Sequence, residues 1–300
     1  MLQFRSVTDA DIPVIKEIFN SFNEFSCEFS AVNLILWQKQ FGFSFCIEDG
    51  VLYSKNCINS KISFGIPFSR DMKTAINRLK EYCQKENIPL VLFGAQGERM
   101  YILKEQLHGC FEFEAKRDSF EYIYSREKLS ELSGKKYHSK RNHISSFKKK
   151  YNWSYEALSD ENRGEVLEML NYWYSLNQDK EDEFMLSEKK GLEKILGNTI
   201  IPEIKGGVIR VDGRVVAFTL GCEISKEIFD VNIEKALTDY DGAYAMINQQ
   251  FVSNELCEYK YINREEDMGL EGLRKAKLSY RPEILLEKYV ITAEENNGQH

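Results

Sequence analysis

Apolar residues recur along the chain with two spacings, one near 3.6 and one of two, and their alternation marks a run of short helices and strands. The chain opens on a predicted strand, Leu2 to Val7. A helix follows, with Thr8 and Asp11 at capping-box spacing and Ile12, Ile15, Ile18, Phe19 and Phe22 facing inward. A second helix over Val32 to Gln40 leads into a hairpin, Phe43 to Ile47 and Val51 to Ser54, turned by Asp49-Gly50. Strand Lys61 to Ile66, helix Asp71 to Glu86, strand Pro89 to Phe93, helix Gly97 to Leu107 and strands Phe111 to Phe113 and Phe120 to Tyr124 complete the first half. The second half repeats the order. Asp160 to Asn177 and a segment from Ser187 to near Gly197 read as helices, and Asp212-Gly213 turns a hairpin between Gly207 to Val211 and Arg214 to Cys222. Strand Ile228 to Ile233, helix Gly242 to Leu256, strand Tyr259 to Asn263, helix Gly272 to Ser279 and strand Ile284 to Ile291 close the chain.

Two passes through one element order imply two α+β domains, residues 1–134 and 151–300, joined by a helix over 135–150. Two helices, a meander and a β-α-β unit resemble the order of the GNAT acyltransferase fold, so the expected architecture is two tandem GNAT-like domains.

Composition adds bounds. Of 300 residues, 43% are hydrophobic and 29% charged, as in an ordinary globular protein. No apolar stretch approaches the roughly 18 residues of a membrane span, and acids occupy the N-terminal stretch where a signal peptide needs its apolar core; the expected location is cytoplasmic. Seven cysteines without a Cys-x-x-Cys pair, and His138 and His143 five residues apart, argue against a disulfide framework or a metal site.

Charge changes the picture more. The net charge is −7, yet Arg126 to Lys150 holds nine Lys/Arg against two Glu. Within the linking segment Ile144, Phe147 and Tyr151 form one apolar stripe on a basic helix. Such a helix fits a polyanionic partner such as tRNA, and it fits equally a solvated linker.

The densest polar stretch runs from Asn263 to Pro282, starting at a strand end, where open α/β sheets present ligands. Arg274, Lys277 and Arg281 share one helical face there, aligned toward an anion. Glu265, Glu266 and Asp267 beside Arg264 and Arg274 also fit an ion-pair network that merely fixes the loop. Glu234 and Lys235 end another strand, and Gly242-Ala243 opens a helix whose free amides form an anion site, or a plain turn before a helix packed through Tyr244, Ile247 and Phe251. The first domain's counterpart, Gly94 to Arg99, is poorer in ionisable groups, and that domain reads as structural. The Gln/Arg-x-x-Gly-x-Gly/Ala pyrophosphate motif of coenzyme A-dependent GNAT enzymes is absent.

Three strings carry a more specific resemblance: Gly134-Lys135-Lys136-Tyr137-His138-Ser139-Lys140-Arg141-Asn142; Glu234-Lys235-Ala236 with Gly242-Ala243-Tyr244; and Asn263-Arg264-Glu265-Glu266-Asp267 with Gly272-Leu273-Arg274-Lys275-Ala276-Lys277 and Ser279-Tyr280-x-Pro282. Together they resemble an uncharacterised bacterial family similar to the cytosolic C-terminal domain of phosphatidylglycerol lysyltransferase. That resemblance spans nearly the whole chain and implies a tandem GNAT fold with a basic connecting helix. In the lysyltransferases this architecture moves an aminoacyl group from charged tRNA to a lipid head group; their multi-span flippase region has no counterpart here.

The expected activity is transfer of an acyl or aminoacyl group from a polyanionic donor to an amine or hydroxyl, with peripheral lipid contact where the acceptor is a head group. Aminoacyl-tRNA stands ahead of acetyl-coenzyme A as donor, and no further cofactor or metal is expected. Glu234, or Glu265 and Asp267, serves as base or positions the acceptor, and Tyr280 is the acid toward the leaving group. Arg274 and Lys277 contact phosphate, Lys140, Arg141 and Asn142 engage the donor, and Gly242, Ala243, Tyr244, Asn263 and Arg264 shape the substrate site. Reversing Lys140 and Arg141 to Glu is expected to abolish donor binding with little loss of stability. The alternatives are a non-catalytic GNAT-like binder of nucleic acid or a phosphorylated ligand, and a coenzyme A-dependent N-acetyltransferase.

Overall fold

The computed structural model describes residues 1–177, 183–197 and 203–294. Its strands form two sheets. The first runs, in spatial order, Ser44–Glu48, Val51–Ile58, Lys61–Gly65, Val91–Ala95, Lys288–Ala293, Phe111–Ala115. The second runs Ile284–Leu286, Glu121–Ser125, Tyr261–Glu266, Ile228–Ala236, Arg214–Ser225, Ile204–Val211, Trp153–Ala157. Both Asp-Gly turns form as the sequence demands, with positive φ at Asp49, Gly50, Asp212 and Gly213, the two-residue geometry that suits the strand twist. Each sheet holds one parallel pair that lasts only briefly, Phe64↔Leu92 to Gly65↔Phe93 in the first and Ile228↔Tyr261 to Asp230↔Asn263 in the second. Beyond Asp230 and Asn263 both strands continue without pairing to each other, and the opening between them becomes the site.

The sheets do not respect a boundary at residue 134. Glu121–Ser125 comes from the first half yet is hydrogen-bonded on both sides within the second sheet. Lys288–Ala293, late in the chain, is inserted between Val91–Ala95 and Phe111–Ala115 of the first. The apolar run read as one strand from Ile284 to Ile291 is therefore two, parted at Glu287, where the chain passes from one sheet to the other. A buried ion pair ties the exchanged strands: Lys288 Nζ lies 2.6 Å from Glu121 and 3.4 Å from Glu28. Burial alone would lower the Lys288 ammonium pKa, but Glu121 and Glu28 outweigh it and raise it. Removing either member would leave an uncompensated interior charge. The proposed limits at 134 and 150 thus mark the linking helix and not the sheets, and the limit at 300 lies outside the described residues.

Other differences are local. Leu2 to Val7 makes one isolated bridge, Arg5↔Phe45, instead of a strand, although the Thr8–Asp11 capping box forms as predicted. The second helix is short, Ala31–Leu36, and Trp153–Ala157 is an added edge strand. Helix His138–Lys150 buries Ile144 and Phe147 and packs on helix Ala243–Glu255. Among the described residues no helix is long and apolar enough to cross a membrane, and all seven cysteines are free.

Candidate functional site

A cavity of about 1040 Å³ lies between the two halves, at the splayed ends of Ile228–Ala236 and Tyr261–Glu266. Helix Ala243–Glu255 points its N-terminus at it. The helix has no side-chain cap; the Ala243 amide donates to the Tyr240 carbonyl at 3.0 Å, while the amides of Tyr244 and Ala245, which have no intrahelical acceptor, border the space together with Gly242. Gly242 has φ +89°, and a Cβ there would stand 2.6 Å from the His143 carbonyl of the basic helix, so only glycine lets the two helices meet.

Lys140 and Arg264 supply positive charge beside this terminus. Lys140 Nζ sits 4.0 Å above the Tyr280 ring, and burial followed by repulsion from Arg264 lowers its pKa. The Arg264 guanidinium lies 4.8 Å from the same ring, gives Nη2 to Glu234 at 2.9 Å, and keeps Nη1 buried without a hydrogen-bond partner. Glu234 also accepts from Asn248 at 3.0 Å. Burial pushes the Tyr280 hydroxyl up to about 12, so it carries its proton at neutral pH.

Glu265 faces the cavity from a residue of positive φ. Its carboxylate accepts from Asn33 at 2.8 Å and Asn232 at 3.2 Å, and its own N–H donates to Asn263 Oδ1 at 2.8 Å. Burial, with Glu266 nearby, pushes it up to about 8. Asp230 beneath is wholly buried; burial and then the Glu265 charge raise its pKa as well. The Cys27 thiol and the carboxylates of Asp230 and Glu265 lie within 4.8 Å of one another, close enough to share an ion. Burial raises the Cys27 and Asp230 pKa values, so metal binding would have to displace their protons.

The remaining sequence candidates fall elsewhere. Asp267 does not line the cavity: its buried carboxylate is held by Arg274 at 2.8 Å, Arg117 at 3.2 Å, the Tyr122 hydroxyl and the Gly269 amide. Burial would raise its pKa, but the bonds from Arg274, Tyr122 and Gly269 prevail and hold it well below the carboxylate range. Arg274 is occupied by Asp267 and by Asp118 at 2.7 Å, so that part of the stretch is the loop-fixing network. Lys277 reaches the cavity, yet its ammonium donates to the backbone carbonyls of Arg264 and Glu266. Arg141 donates to the carbonyls of Leu132 and Gly134, which makes it a brace of the preceding turn; its reversal would cost stability, contrary to expectation. Asn142 contacts His138 on the surface, and fully buried Asn263 bonds Phe25 O at 2.9 Å and Glu121. Lys148 and Lys150 lie over Trp153 and beside Asp241, leaving Lys140 as the residue that carries the basic helix's charge to the cavity.

The first half contributes a whole wall. Asn33 holds Glu265, and Trp37, stacked on Phe184 at 4.3 Å, joins Phe29, Phe41 and Phe43 in an aromatic side to the space. Sequence reasoning did not single out Asn33, Asn232 or Asp230, since no local motif links Glu265 to Asn33, 232 positions away, or to Asn232, 33 positions away on another strand.

Comparison with known proteins finds relatives of the same fold. Residues 19–292 match the family described as phosphatidylglycerol lysyltransferase, C-terminal. A crystal structure of a conserved protein of unknown function from Bacteroides thetaiotaomicron is 35% identical, with a TM-score of 0.92 over 98% of this chain and 100% of that one. The structure of L-PGS from Bacillus licheniformis shares the fold at 13% identity, TM-score 0.65, over 97% of this chain and 93% of that one. An uncharacterised protein of Mycoplasmoides gallisepticum is 27% identical over 183 residues, 58% of this chain and 56% of that protein, so the match spans about half the length of this curated relative.

Proposed function

The chain belongs to the phosphatidylglycerol lysyltransferase C-terminal family and shares its fold; from that premise we propose that its halves are tandem GNAT-like domains and that it transfers an aminoacyl group from aminoacyl-tRNA to a nucleophile admitted to the cavity between the halves. The observation that carries the reading is the pairing, in one space, of an anion-receiving side with a titratable carboxyl. Uncapped helix Ala243–Glu255, Lys140 and the free Nη1 of Arg264 form the first, and Glu265 the second. The donor's terminal phosphate lies against the helix amides. Arg264 Nη1 and the amides are placed to stabilise the oxyanion that develops as the ester carbonyl is attacked. Glu265 takes the proton of the nucleophile, because a carboxyl near 8 is a stronger base than an ordinary one. Neutral Tyr280 returns a proton to the departing ribose oxygen.

Retention of labelled aminoacyl-tRNA across a salt series, with deacylated tRNA and coenzyme A as competitors, tests the donor. Charged tRNA should be retained best and released as salt rises. Displacement by coenzyme A with indifference to tRNA would return the chain to ordinary acetyl transfer.

A further inference from the structure

Among the described residues Glu265 accepts one hydrogen bond from the first half of the chain, and the side chain that gives it is locked in place. Asn33 lies in helix Ala31–Leu36, whose N-cap Ser30 accepts from the Asn33 amide at 3.3 Å. Trp37 follows four residues later on the same face. Its indole N–H, which can only donate, gives to Asn33 Oδ1 at 3.1 Å, and its ring is stacked on Phe184 of the second half at 4.3 Å. Asn33 Nδ2 then faces the other way, where the Cys27 carbonyl accepts at 3.0 Å and Glu265 Oε1 at 2.8 Å. Trp37 and Cys27 thus fix the Asn33 amide without help from Glu265, and the carboxylate always meets an N–H there. Asn232 touches the same oxygen at 3.2 Å, but its two amide hydrogens are shared among Glu265, Asp230 at 2.7 Å and Ser30 at 3.0 Å. Glu265 Oε2 accepts no hydrogen bond among the described residues, on a side chain that borders the cavity.

We propose that Asn33 is a positioning residue for the transfer: held in its donating orientation by Trp37, it locks Glu265 Oε1 and leaves Oε2 as the oxygen that takes the nucleophile's proton. The inference rests on the transfer reading above and deepens it to single atoms; it applies to a hydroxyl and to an amine nucleophile alike. A carboxyl whose one oxygen accepts two N–H donors carries its proton on the other. As that proton reaches Oε2, the nucleophile's lone pair closes the bond to the ester carbon and the C–O bond to the ribose breaks. Tyr280 gives its proton to the ribose oxygen and recovers one from solvent, to which Glu265 releases its own. The Asn33 donor also favours the ionised carboxylate, as the Lys277 ammonium does from the next helix. Glu266 on the same strand and Glu121 on the next oppose it, Arg264 is turned to Glu234, and Asp230 and Cys27, whose own pKa values burial raises, stand within 4.8 Å.

The test is a double-mutant cycle on the single-turnover loss of ester-bound label from total aminoacyl-tRNA, with phosphatidylglycerol vesicles or tRNA-free cell extract as the source of acceptor. Asn33→Leu should slow the step by about ten- to a hundredfold with aminoacyl-tRNA retention unchanged, move the rise of rate with pH to higher pH, and have no further effect in the Glu265→Gln background. Trp37→Phe keeps a ring against Phe184 and removes the N–H; it should slow the step by about threefold or more, and it keeps the test open if Asn33→Leu does not fold. Equal losses in the wild-type and Glu265→Gln backgrounds, or an unmoved pH profile, would show that Asn33 only supports the fold and would overturn the proposal. Melting curves need no substrate: the decline of stability between about pH 5 and about pH 8 that Glu265→Gln removes should run on to higher pH in Asn33→Leu. That shift with no ester loss in the wild type removes the transfer reading and the positioning role with it. Ester loss that Glu265→Gln abolishes and Asn33→Leu leaves untouched removes Asn33 alone and leaves the transfer reading standing.

Discussion

The same helix occurs once in each half, and the two copies begin differently. Met72–Glu86 follows the short parallel strand of the first sheet, and its N-terminus is closed twice over. Asp71 accepts from the Thr74 amide at 3.1 Å, and Gln106 Oε1 takes the amides of Met72 at 2.8 Å and Lys73 at 3.4 Å. Ala243–Glu255 occupies the equivalent place in the second half, begins at a glycine with no side-chain cap, and opens on the cavity. Further along, the first half places buried Glu24 on Arg99, with 3.0 Å between the charged groups, where the second half presents Arg264 and Glu265 to the space. One half has turned its anion-binding features inward and satisfied them with its own side chains. The other begins its helix without a side-chain cap at the edge of the cavity, and the difference is a matter of capping residues, not of fold.

The largest test of that contrast is chemical. Glu265→Gln should lower turnover by about 10²- to 10⁴-fold while leaving aminoacyl-tRNA retention near wild type, and Glu98→Gln in the first half should leave turnover unchanged; single-turnover kinetics would separate the two. Donor affinity comes next: Lys140→Glu should weaken tRNA retention by about tenfold and flatten its salt dependence, whereas Lys73→Glu at the closed helix should do neither. Stability then distinguishes the helix starts. Gly242→Ala meets the His143 carbonyl and a positive φ, and should cost about 2 kcal/mol or more, against about 1 kcal/mol for Asp71→Ala, which loses a cap; urea denaturation would measure both. The smallest effect concerns pH. Folded Glu265 titrates near 8 and the unfolded carboxyl near 4.5, so between them the native state holds the extra proton and stability falls as pH rises. Glu265→Gln should remove that part of the decline from thermal melts between pH 5 and pH 8.

Much of this was legible in the sequence for a physical reason: helices, hairpins and strand ends are specified by neighbours a few residues apart. The Asp-Gly turns, the Thr8–Asp11 box and the stripe of Ile144 and Phe147 all formed as their spacing implied. The polar stretch from Asn263 to Pro282 was visible too, but its composition does not say which acids are neutralised. Asp267 and Arg274 consume each other while Glu265, two positions from Asp267, stays available. What the sequence concealed is non-local. Nothing within Glu121–Ser125 says that its neighbours will be Tyr261–Glu266 and Ile284–Leu286, and nothing around Asn33 announces a glutamate in the other half.

The exchanged strands also set an order of events during synthesis. Val91–Ala95 and Phe111–Ala115 leave the ribosome early, but the strand that lies between them is Lys288–Ala293, nearly two hundred residues later. Until it arrives, the first sheet lacks the fifth of its six strands, and Val91–Ala95 and Phe111–Ala115 face the gap unpaired, open to wrong partners. A duplicated fold that could have matured one half at a time must instead wait and close both halves together.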